Sequence, residues 1–253
     1  FFSEGAFRLV LVLPISPDVE LTDQDFRKIS ALIYEQCGIH LHEGKKELVK
    51  ARLGKRIRQG GFRSFRDYYE YVVEDRSGQE LIHLLDSIST NFTSFFREPQ
   101  HFEYLRNHFL PEMARRKKDR QLSFWSAGCS SGEEVYSIAI TLLETPEISK
   151  GFRLKILGTD ISTRVLKVAQ AGIYGVDRIQ TIPEGLLSKY FLRGEKRWKG
   201  FFKIKNELQK IVTFQRLNLM ESFSFSEPFD CIFFRNVMIY FDKKTQEILV
   251  NRF

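Results

Sequence analysis

Two glycines and two glutamates lie close together in the segment Trp125–Glu134. Gly128 and Gly132 would let the backbone turn tightly and approach a ligand. The segment is neither a G-x-G-x-x-G fingerprint nor a P-loop, because no Lys-Ser or Lys-Thr pair follows Gly132. Glu133 and Glu134 suit the positive end of a helix and would repel a pyrophosphate. The pattern therefore favours a cationic or neutral ligand, with an ordinary strand-to-helix turn as the alternative.

Polar residues also follow the next three predicted strands. Asp160 ends the second strand, where a carboxylate can accept hydrogen bonds from both hydroxyls of a ribose. The alternative is that Asp160 caps the helix that follows. Asn218 with Leu219, and Arg235 with Asn236, come at the ends of the next two strands. Parallel strands bring their carboxyl ends to one sheet edge, so these residues predict a nucleoside-type site there.

A parallel sheet is needed to bring these side chains together. Predicted helices at 133–143 and 163–171 alternate with predicted strands at 121–127, 154–158, 212–217 and 229–234. Such alternation is typical of an α/β fold with helical crossovers. Residues 172–210 interrupt it and are predicted to form a small antiparallel β insertion. Open sheets of this kind have further strands, so we expect the domain 121–253 to be incomplete at its C-terminal end.

Helical periodicity dominates the part of the chain before the sheet. Apolar residues recur at helical spacing in segments beginning at 22, 45, 64 and 79, which predicts an all-helical domain over residues 21–88. Residues 89–120 are predicted to form a linker and a connecting helix. Residues 1–20 contain Pro14 and Pro17 and are predicted to be an extended lead-in of unknown role.

The composition excludes several classes of protein. A chain of 253 residues with 43% hydrophobic and 28% charged residues is not disordered. The apolar run Leu9–Leu13 is far shorter than the roughly 20 residues that span a bilayer. The three cysteines are scattered, which predicts no disulfide framework and a cytoplasmic location. Two histidines have no third ligand nearby, so no metal site is predicted. The 39 basic residues exceed the 32 acidic ones, which suggests an anionic partner.

Four ordered motifs give the chain a resemblance to a known family. They are TNFTSFFRE at 90–98, WSAGCSSGEE at 125–134, GTDIS at 158–162 and FRNVMIYF at 234–241. Over residues 20–253 the chain resembles the chemotaxis receptor glutamate methyltransferases, the CheR family. The resemblance implies an S-adenosylmethionine-dependent enzyme with a Rossmann-like α/β methyltransferase domain after the helical domain. It also implies S-adenosylhomocysteine as the product and receptor glutamates, converted to methyl esters, as the substrate.

The resemblance also implies roles for individual residues. The implied cofactor-binding positions are Asn91, Thr93, Arg97, Gly128, Glu134, Asp160, Asn218, Leu219, Arg235 and Asn236. Arg97, near the methionine carboxylate or the acceptor, and Tyr240, near the transferred methyl group, form the implied catalytic pair. Glu134 would face the methionine amino group and Asp160 would bind the ribose. Asn218 and Leu219, which follow the third predicted strand, would border the adenine.

A carboxylate acceptor makes small chemical demands on an enzyme. It is already deprotonated at pH 7, so methyl transfer needs positioning and the removal of water rather than a general base. Amino-group methyltransferases often carry an Asn/Asp-Pro-Pro-aromatic turn after the fourth strand, where this chain has Arg235-Asn236-Val237-Met238. That difference counts against a nucleic-acid partner. The alternatives are a catalytically silent regulator that binds S-adenosylmethionine and a nucleic-acid methyltransferase.

The predicted helix at 45–58 is strongly basic. Lys45, Arg52 and Arg56 are separated by seven and four residues, so they share one helix face. We expect this face to bind an acidic helix in the cytoplasmic domain of a chemoreceptor, with a simple solvated face as the alternative. The insertion at 172–210 occupies the place where the family can dock a C-terminal receptor peptide.

Overall fold

The computed structural model describes residues 19–253, so the predicted lead-in lies outside the described residues except for its last two positions. The first described part is helical, as predicted. Its helices are α1 (Asp23–Cys37), α2 (Lys46–Gly60), α3 (Phe65–Glu74) and α4 (Gln79–Ile88). Hydroxyl caps set two of the starts: Thr22 Oγ1 accepts from the Asp25 amide at 3.1 Å, and Ser64 Oγ accepts from the Asp67 amide at 3.0 Å.

The four helices pack around one apolar core. Its most deeply buried members come from α1, α2 and α3, and they are Ile29, Ile33, Val49, Leu53, Ile57, Phe65 and Tyr68. Each fully buried side chain of this size contributes about 1.5–3 kcal/mol. The predicted start of the second helix was one residue early, because Glu43–Lys45 form a 3₁₀ turn before α2.

The rest of the described chain alternates between strands and helices. The strands are β1 (Gln121–Ala127), β2 (Arg153–Asp160), β3 (Ile173–Gly175), β4 (Phe191–Arg193), β5 (Phe201–Ile204), β6 (Val212–Arg216) and β7 (Cys231–Phe233). The helices are α5 (Pro99–Tyr104), α6 (Leu110–Arg116), α7 (Glu133–Leu143), α8 (Pro146–Ser149), α9 (Thr163–Ala171), α10 (Glu184–Tyr190), α11 (Asn206–Gln209) and α12 (Lys243–Val250).

The predicted α/β architecture is confirmed. A four-stranded parallel sheet has the order β6-β2-β1-β7, and the register pairs Ala127 with Thr159 and Asp160 with Arg216. The carboxyl ends of β1, β2 and β6 therefore lie at one edge. β2 extends two residues beyond the predicted strand because Thr159 and Asp160 pair with β6. Within residues 19–253, no helix is both long enough and apolar enough to cross a bilayer.

The connecting helix predicted before the sheet is continuous but changes its winding. Residues Leu105–Phe109, between α5 and α6, form a π-helical segment in which the Leu110 amide donates to the Leu105 carbonyl. Pro111 follows at once, and it has no amide to donate and clashes with a regular α turn. The wider turn accommodates the proline without ending the helix.

The insertion forms the predicted small antiparallel sheet, with the order β3-β5-β4. Polar contacts attach it to the loop after β1. The Tyr174 hydroxyl donates to the Ser131 carbonyl at 2.7 Å, and the guanidinium of Arg178 pairs with the fully buried carboxylate of Glu133. Ser131 Oγ donates to the other Glu133 oxygen at 2.7 Å. The insertion is thus fastened to the turn that precedes α7.

Candidate functional site

A cavity of about 340 Å³ lies where the helical domain meets the carboxyl edge of the parallel sheet. This is the edge at which open α/β sheets bind their ligands, and the volume is within the range of small-molecule sites. The lining residues come from the strand-end loops, from the linker with α5, and from the end of α1 and the start of α2. They fall within 128–134, 160–161, 217–219, 235–241, 88–102 and 37–48. Every cofactor-binding position predicted from the sequence lines this cavity.

The turn after β1 requires glycine at both of its predicted positions. Gly128 has φ of +81°, and a Cβ built on it would lie 2.5 Å from Cγ2 of Val237. Gly132 has φ of +93°, and a Cβ there would lie 2.8 Å from the Cβ of Ala169. L-residues rarely adopt these angles. The turn is therefore held close to the loop after β7 on one side and to α9 on the other.

Asp160 supports the same turn from the end of β2. Its Oδ2 accepts from the Ser130 amide at 2.8 Å, and its Oδ1 accepts from the Ser162 amide at 2.9 Å. Burial raises the pKa of Asp160, and the backbone donors oppose that rise. Ser162 caps α9 through its own hydroxyl, so the alternative role of Asp160 as the cap is wrong. A carboxylate oxygen can accept two hydrogen bonds, so each Asp160 oxygen keeps capacity for a ribose hydroxyl.

Glu134 and Arg235 form the charged end of the cavity. Glu134 accepts from the Ser126 hydroxyl at 2.8 Å, and its Oε2 lies 3.4 Å from Nη1 of Arg235. Burial raises the pKa of Glu134, and the Arg235 guanidinium opposes that rise. On its other side Arg235 pairs with Glu98 at 3.2 Å.

Several buried donors on residues that line the cavity have no hydrogen-bond partner among the described residues. They are Nε and Nη1 of Arg235 and Nδ2 of Asn91. A buried donor without a partner costs about 1–3 kcal/mol, so a ligand that supplies acceptors is favoured here. Together with the carboxylate of Glu134, these donors match the carboxylate and ammonium groups of an α-amino acid. The residues present therefore fit the methionine end of S-adenosylmethionine.

The two predicted catalytic residues lie on the part of the cavity next to the linker. Arg97 Nη1 donates to the Phe92 carbonyl at 3.2 Å, and its guanidinium lies 5.6 Å from the centroid of the Phe92 ring. The Tyr240 hydroxyl donates to the Thr90 carbonyl at 3.3 Å. Thr93 lines the same stretch. The structure thus brings Arg97 and Tyr240 into one cavity with the cofactor-binding positions.

Asn218 and Leu219 lie at the end of the cavity nearest to α1. The Asn218 amide group donates to the Gln36 carbonyl at 2.7 Å, and its Oδ1 accepts from the Met220 amide at 3.1 Å. The bond to Gln36 attaches the loop after β6 to the helical domain, and the bond from Met220 is local to the loop. Leu219 is buried and supplies apolar surface to the cavity, which suits the border of an adenine ring.

The arginines of the predicted cationic face on α2 are half-buried and already form contacts within the chain, while the binding of a receptor by this face stays a prediction. Arg56 forms two hydrogen bonds with the buried carboxylate of Glu80, one of them 2.7 Å long. Arg52 donates to the Ile88 carbonyl and, at 2.9 Å, to Thr90 Oγ1. Helical spacing places these arginines on one side of α2 but does not reveal their contacts with α4 and the linker. Lys45 is exposed and lies at the cavity.

Several site residues were not predicted from the sequence. Glu98 accepts from the Asn236 amide at 3.1 Å and pairs with Arg235, and its position next to Arg97 in the first motif was the available signal. Ser126 and Ser130 bond the two cavity carboxylates from within the second motif. The residues from the end of α1 to the start of α2 line the cavity without any recognisable motif.

Comparison with known proteins agrees with this geometry. Residues 24–89 match the family described as "CheR methyltransferase, all-alpha domain", and residues 91–253 match "CheR methyltransferase, SAM binding domain". A chemotaxis protein methyltransferase of Borreliella burgdorferi is 43% identical over 243 residues, which cover 93% of this chain and 84% of the relative. Those of Salmonella typhimurium and Escherichia coli are each 38% identical over 96% of this chain, covering 82% and 83% of their own lengths. The chain belongs to the CheR methyltransferase family and is an S-adenosylmethionine-dependent methyltransferase.

Proposed function

We propose that the chain transfers the methyl group of S-adenosylmethionine to glutamate side chains of chemoreceptors and leaves S-adenosylhomocysteine. The observation that carries the proposal is a cavity lined by the Glu134 carboxylate, by Arg235 beside it and by Asn91, where both Arg235 and Asn91 have buried donors without a hydrogen-bond partner. When bound, the cofactor supplies a methyl group on a positively charged sulfur. The proposed tasks of this chain are to bind the amino-acid and ribose groups, to orient the acceptor and to exclude water.

Arg97 is the residue proposed to bind the acceptor carboxylate. Its side chain is 34% exposed, so a partner can reach it from the solvent side of the cavity. A guanidinium has five N–H donors, so a carboxylate can bind beside the existing bond to Phe92. Two opposite charges about 4 Å apart at an effective dielectric near 20 attract by about 4 kcal/mol. This attraction orients the acceptor without any proton transfer.

Tyr240 is proposed to lie next to the transferred methyl group. Its hydroxyl is bonded to the Thr90 carbonyl, and its own carbonyl accepts from the His40 amide at 2.9 Å. The ring is therefore fixed between the linker and the helical domain. A fixed aromatic ring at this place limits the approach of water to the reacting groups.

The proposed partner is the cytoplasmic helical domain of a chemoreceptor, and the proposed location is accordingly the cytoplasm. The excess of basic over acidic residues supports an acidic partner. A C-terminal receptor peptide is the proposed ligand of the insertion. Exposed Leu192, Trp198 and Phe201, which stand among basic side chains there, support that second contact.

The test uses methyl-labelled S-adenosylmethionine, receptor-containing membranes and mild alkali treatment of the product. Methyl esters of glutamate release the label as volatile methanol, and that is the expected result. Label that survives alkali and follows added RNA or DNA would favour the nucleic-acid alternative. Binding of S-adenosylhomocysteine without any label transfer would favour the silent regulator.

Two variants test the proposed roles within the site. Arg97→Ala and Tyr240→Phe should each lower turnover by at least about tenfold, equivalent to 1.4 kcal/mol in the barrier, while the Kd for S-adenosylhomocysteine changes less. Equal losses in turnover and in cofactor affinity would show that both residues only bind the cofactor. Glu112→Ala, which removes an exposed ion pair with Arg116, is the matched control.

A further inference from the structure

Glu98 lies at the end of the linker, directly before α5, and contacts the loop after β7. Its Oε1 accepts from Nδ2 of Asn236 at 3.1 Å, and its Oε2 pairs with Nη2 of Arg235 at 3.2 Å. These partners follow β7, 137 and 138 positions further along the chain. One carboxylate therefore joins the start of α5 to both polar residues of the loop after β7.

The backbone at this contact is strained. Glu98 has φ of +57° and Asn236 has φ of +58°, and both values lie in the left-handed region. A non-glycine residue there costs of order 1–3 kcal/mol and persists where the surroundings over-determine it. Such residues cluster at ligand sites. Here the two strained residues are hydrogen-bonded to each other through their side chains.

Arg235 is fixed from several sides at once. Besides Glu98, the carbonyl of Arg97 accepts from its Nη2, and the ring of Phe102 lies 5.4 Å from the guanidinium. Because a guanidinium is a rigid plane, fixing one nitrogen and one face also fixes the other nitrogens. Those other nitrogens, Nε and Nη1, have no hydrogen-bond partner in the described part of the chain, although Nη1 lies 3.4 Å from the Glu134 carboxylate.

We propose that Glu98 is a positioning residue of the cofactor site, which acts chiefly through Arg235 and also contacts Asn236. Glu98 fixes the guanidinium so that Nε and Nη1, the donors without a hydrogen-bond partner, are preorganised for the carboxylate of the methionine moiety. The proposal rests on the proposed placement of Arg235 and Asn236 at the cofactor, but not on the identity of the methyl acceptor. Glu98 itself does not need to touch the cofactor.

Glu98→Gly is the most informative variant. Glycine adopts positive φ readily and is accepted at a helix N-cap, so the backbone of the fold tolerates the change. The Kd for S-adenosylhomocysteine, measured by calorimetry without receptor, should rise about tenfold, equivalent to 1.4 kcal/mol. The Tm of the ligand-free protein should fall by no more than a few degrees. Glu98→Gln keeps one accepting oxygen and the side-chain shape, and should restore the Kd to within about threefold of wild type.

A double-mutant cycle separates positioning from an independent contribution. In an Arg235→Ala background, Glu98→Gly should weaken S-adenosylhomocysteine binding by less than about twofold, because Glu98 acts through the missing residue. In steady-state assays Glu98→Gly should raise the KM for S-adenosylmethionine and change kcat at saturating cofactor less than about twofold. Glu112→Ala again serves as the control.

Two results would overturn the proposal. One is a wild-type Kd for Glu98→Gly, and the other is a full tenfold loss in the Arg235→Ala background. Failure of glutamate methylation would leave both binding measurements unaffected, so it would refute the proposed function and not the role of Glu98.

Discussion

Arg178 and Glu133 carry a prediction about stability that follows from burial. Glu133 is completely buried, whereas the Arg178 side chain, which comes from the insertion, is 37% exposed. Removing one partner of a buried ion pair leaves an uncompensated charge and costs 3–5 kcal/mol in general. Water reaches the arginine end and Ser131 still donates to Glu133. We therefore expect Arg178→Ala to lower the free energy of unfolding by about 3 kcal/mol, at the lower end of that range.

The assay is urea unfolding followed by tryptophan fluorescence. Trp125 is 1% exposed and Trp198 is 48% exposed, so a Trp198→Phe background leaves one buried reporter in the sheet domain. Adding Glu133→Gln to Arg178→Ala should restore most of the lost stability, because the remaining buried group is then neutral. Lys199→Ala, an exposed change in the same insertion, should stay within about 0.5 kcal/mol of wild type.

A loss below about 1 kcal/mol for Arg178→Ala would refute this reasoning, since the buried carboxylate would then have found another partner or a proton. A double variant as unstable as the single variant would also refute it. In that case the damage would come from lost packing of the arginine stem rather than from charge.

Three further predictions follow from the described contacts. Gly128→Ala should lower the free energy of unfolding by about 1–3 kcal/mol and weaken S-adenosylhomocysteine binding in calorimetry, because a Cβ there overlaps the loop after β7. Unchanged values of both quantities would mean that the turn can relax. Arg56→Glu should lower the Tm because it removes the partner of buried Glu80, whereas Lys45→Glu should lower receptor methylation at an unchanged Tm. Lowered receptor methylation at an unchanged Tm for Arg56→Glu would instead favour a direct contact of Arg56 with the receptor. Asp242 caps α12 with a pKa lowered from 3.8 to about 2, mainly by backbone and hydroxyl donors. Its contribution to stability is therefore present above pH 4 and is lost as the pH falls from 4 to 2; Asp242→Asn should flatten acid unfolding curves over that interval, and curves parallel to wild type would contradict the assignment.

Local pattern was sufficient to predict the elements that carry the site. β1 and α7 begin and end where the sequence predicts, because a buried run and a glycine turn define them without help from distant residues. The strand-end positions also followed from the pattern, since parallel strands must place their carboxyl ends at one edge. The cavity therefore contains the predicted Asp160, Arg235 and Asn236.

Long-range packing explains what the sequence did not predict. The two residues added to β2 depend on pairing with β6, and the partner of Arg56 lies on α4, 24 positions further along the chain. Asn218 bonds Gln36 across a separation of 182 residues, and this contact brings the end of α1 to the cavity. Periodicity defines a buried face of a helix but not the element that covers it.

The cavity has walls from both the helical domain and the sheet domain, and this has a consequence for how the protein responds to its ligand. Among the bonds that join these walls are those from the His40 amide to the Tyr240 carbonyl and from the Asn218 side chain to the Gln36 carbonyl. A ligand that contacts both walls stabilises the association of the two domains by its binding free energy. At a ligand concentration 100 times the Kd that stabilisation is about 2.7 kcal/mol. The concentration of the cofactor therefore determines how often the helical domain and the sheet domain separate. It also determines how readily a protease cuts the chain between them.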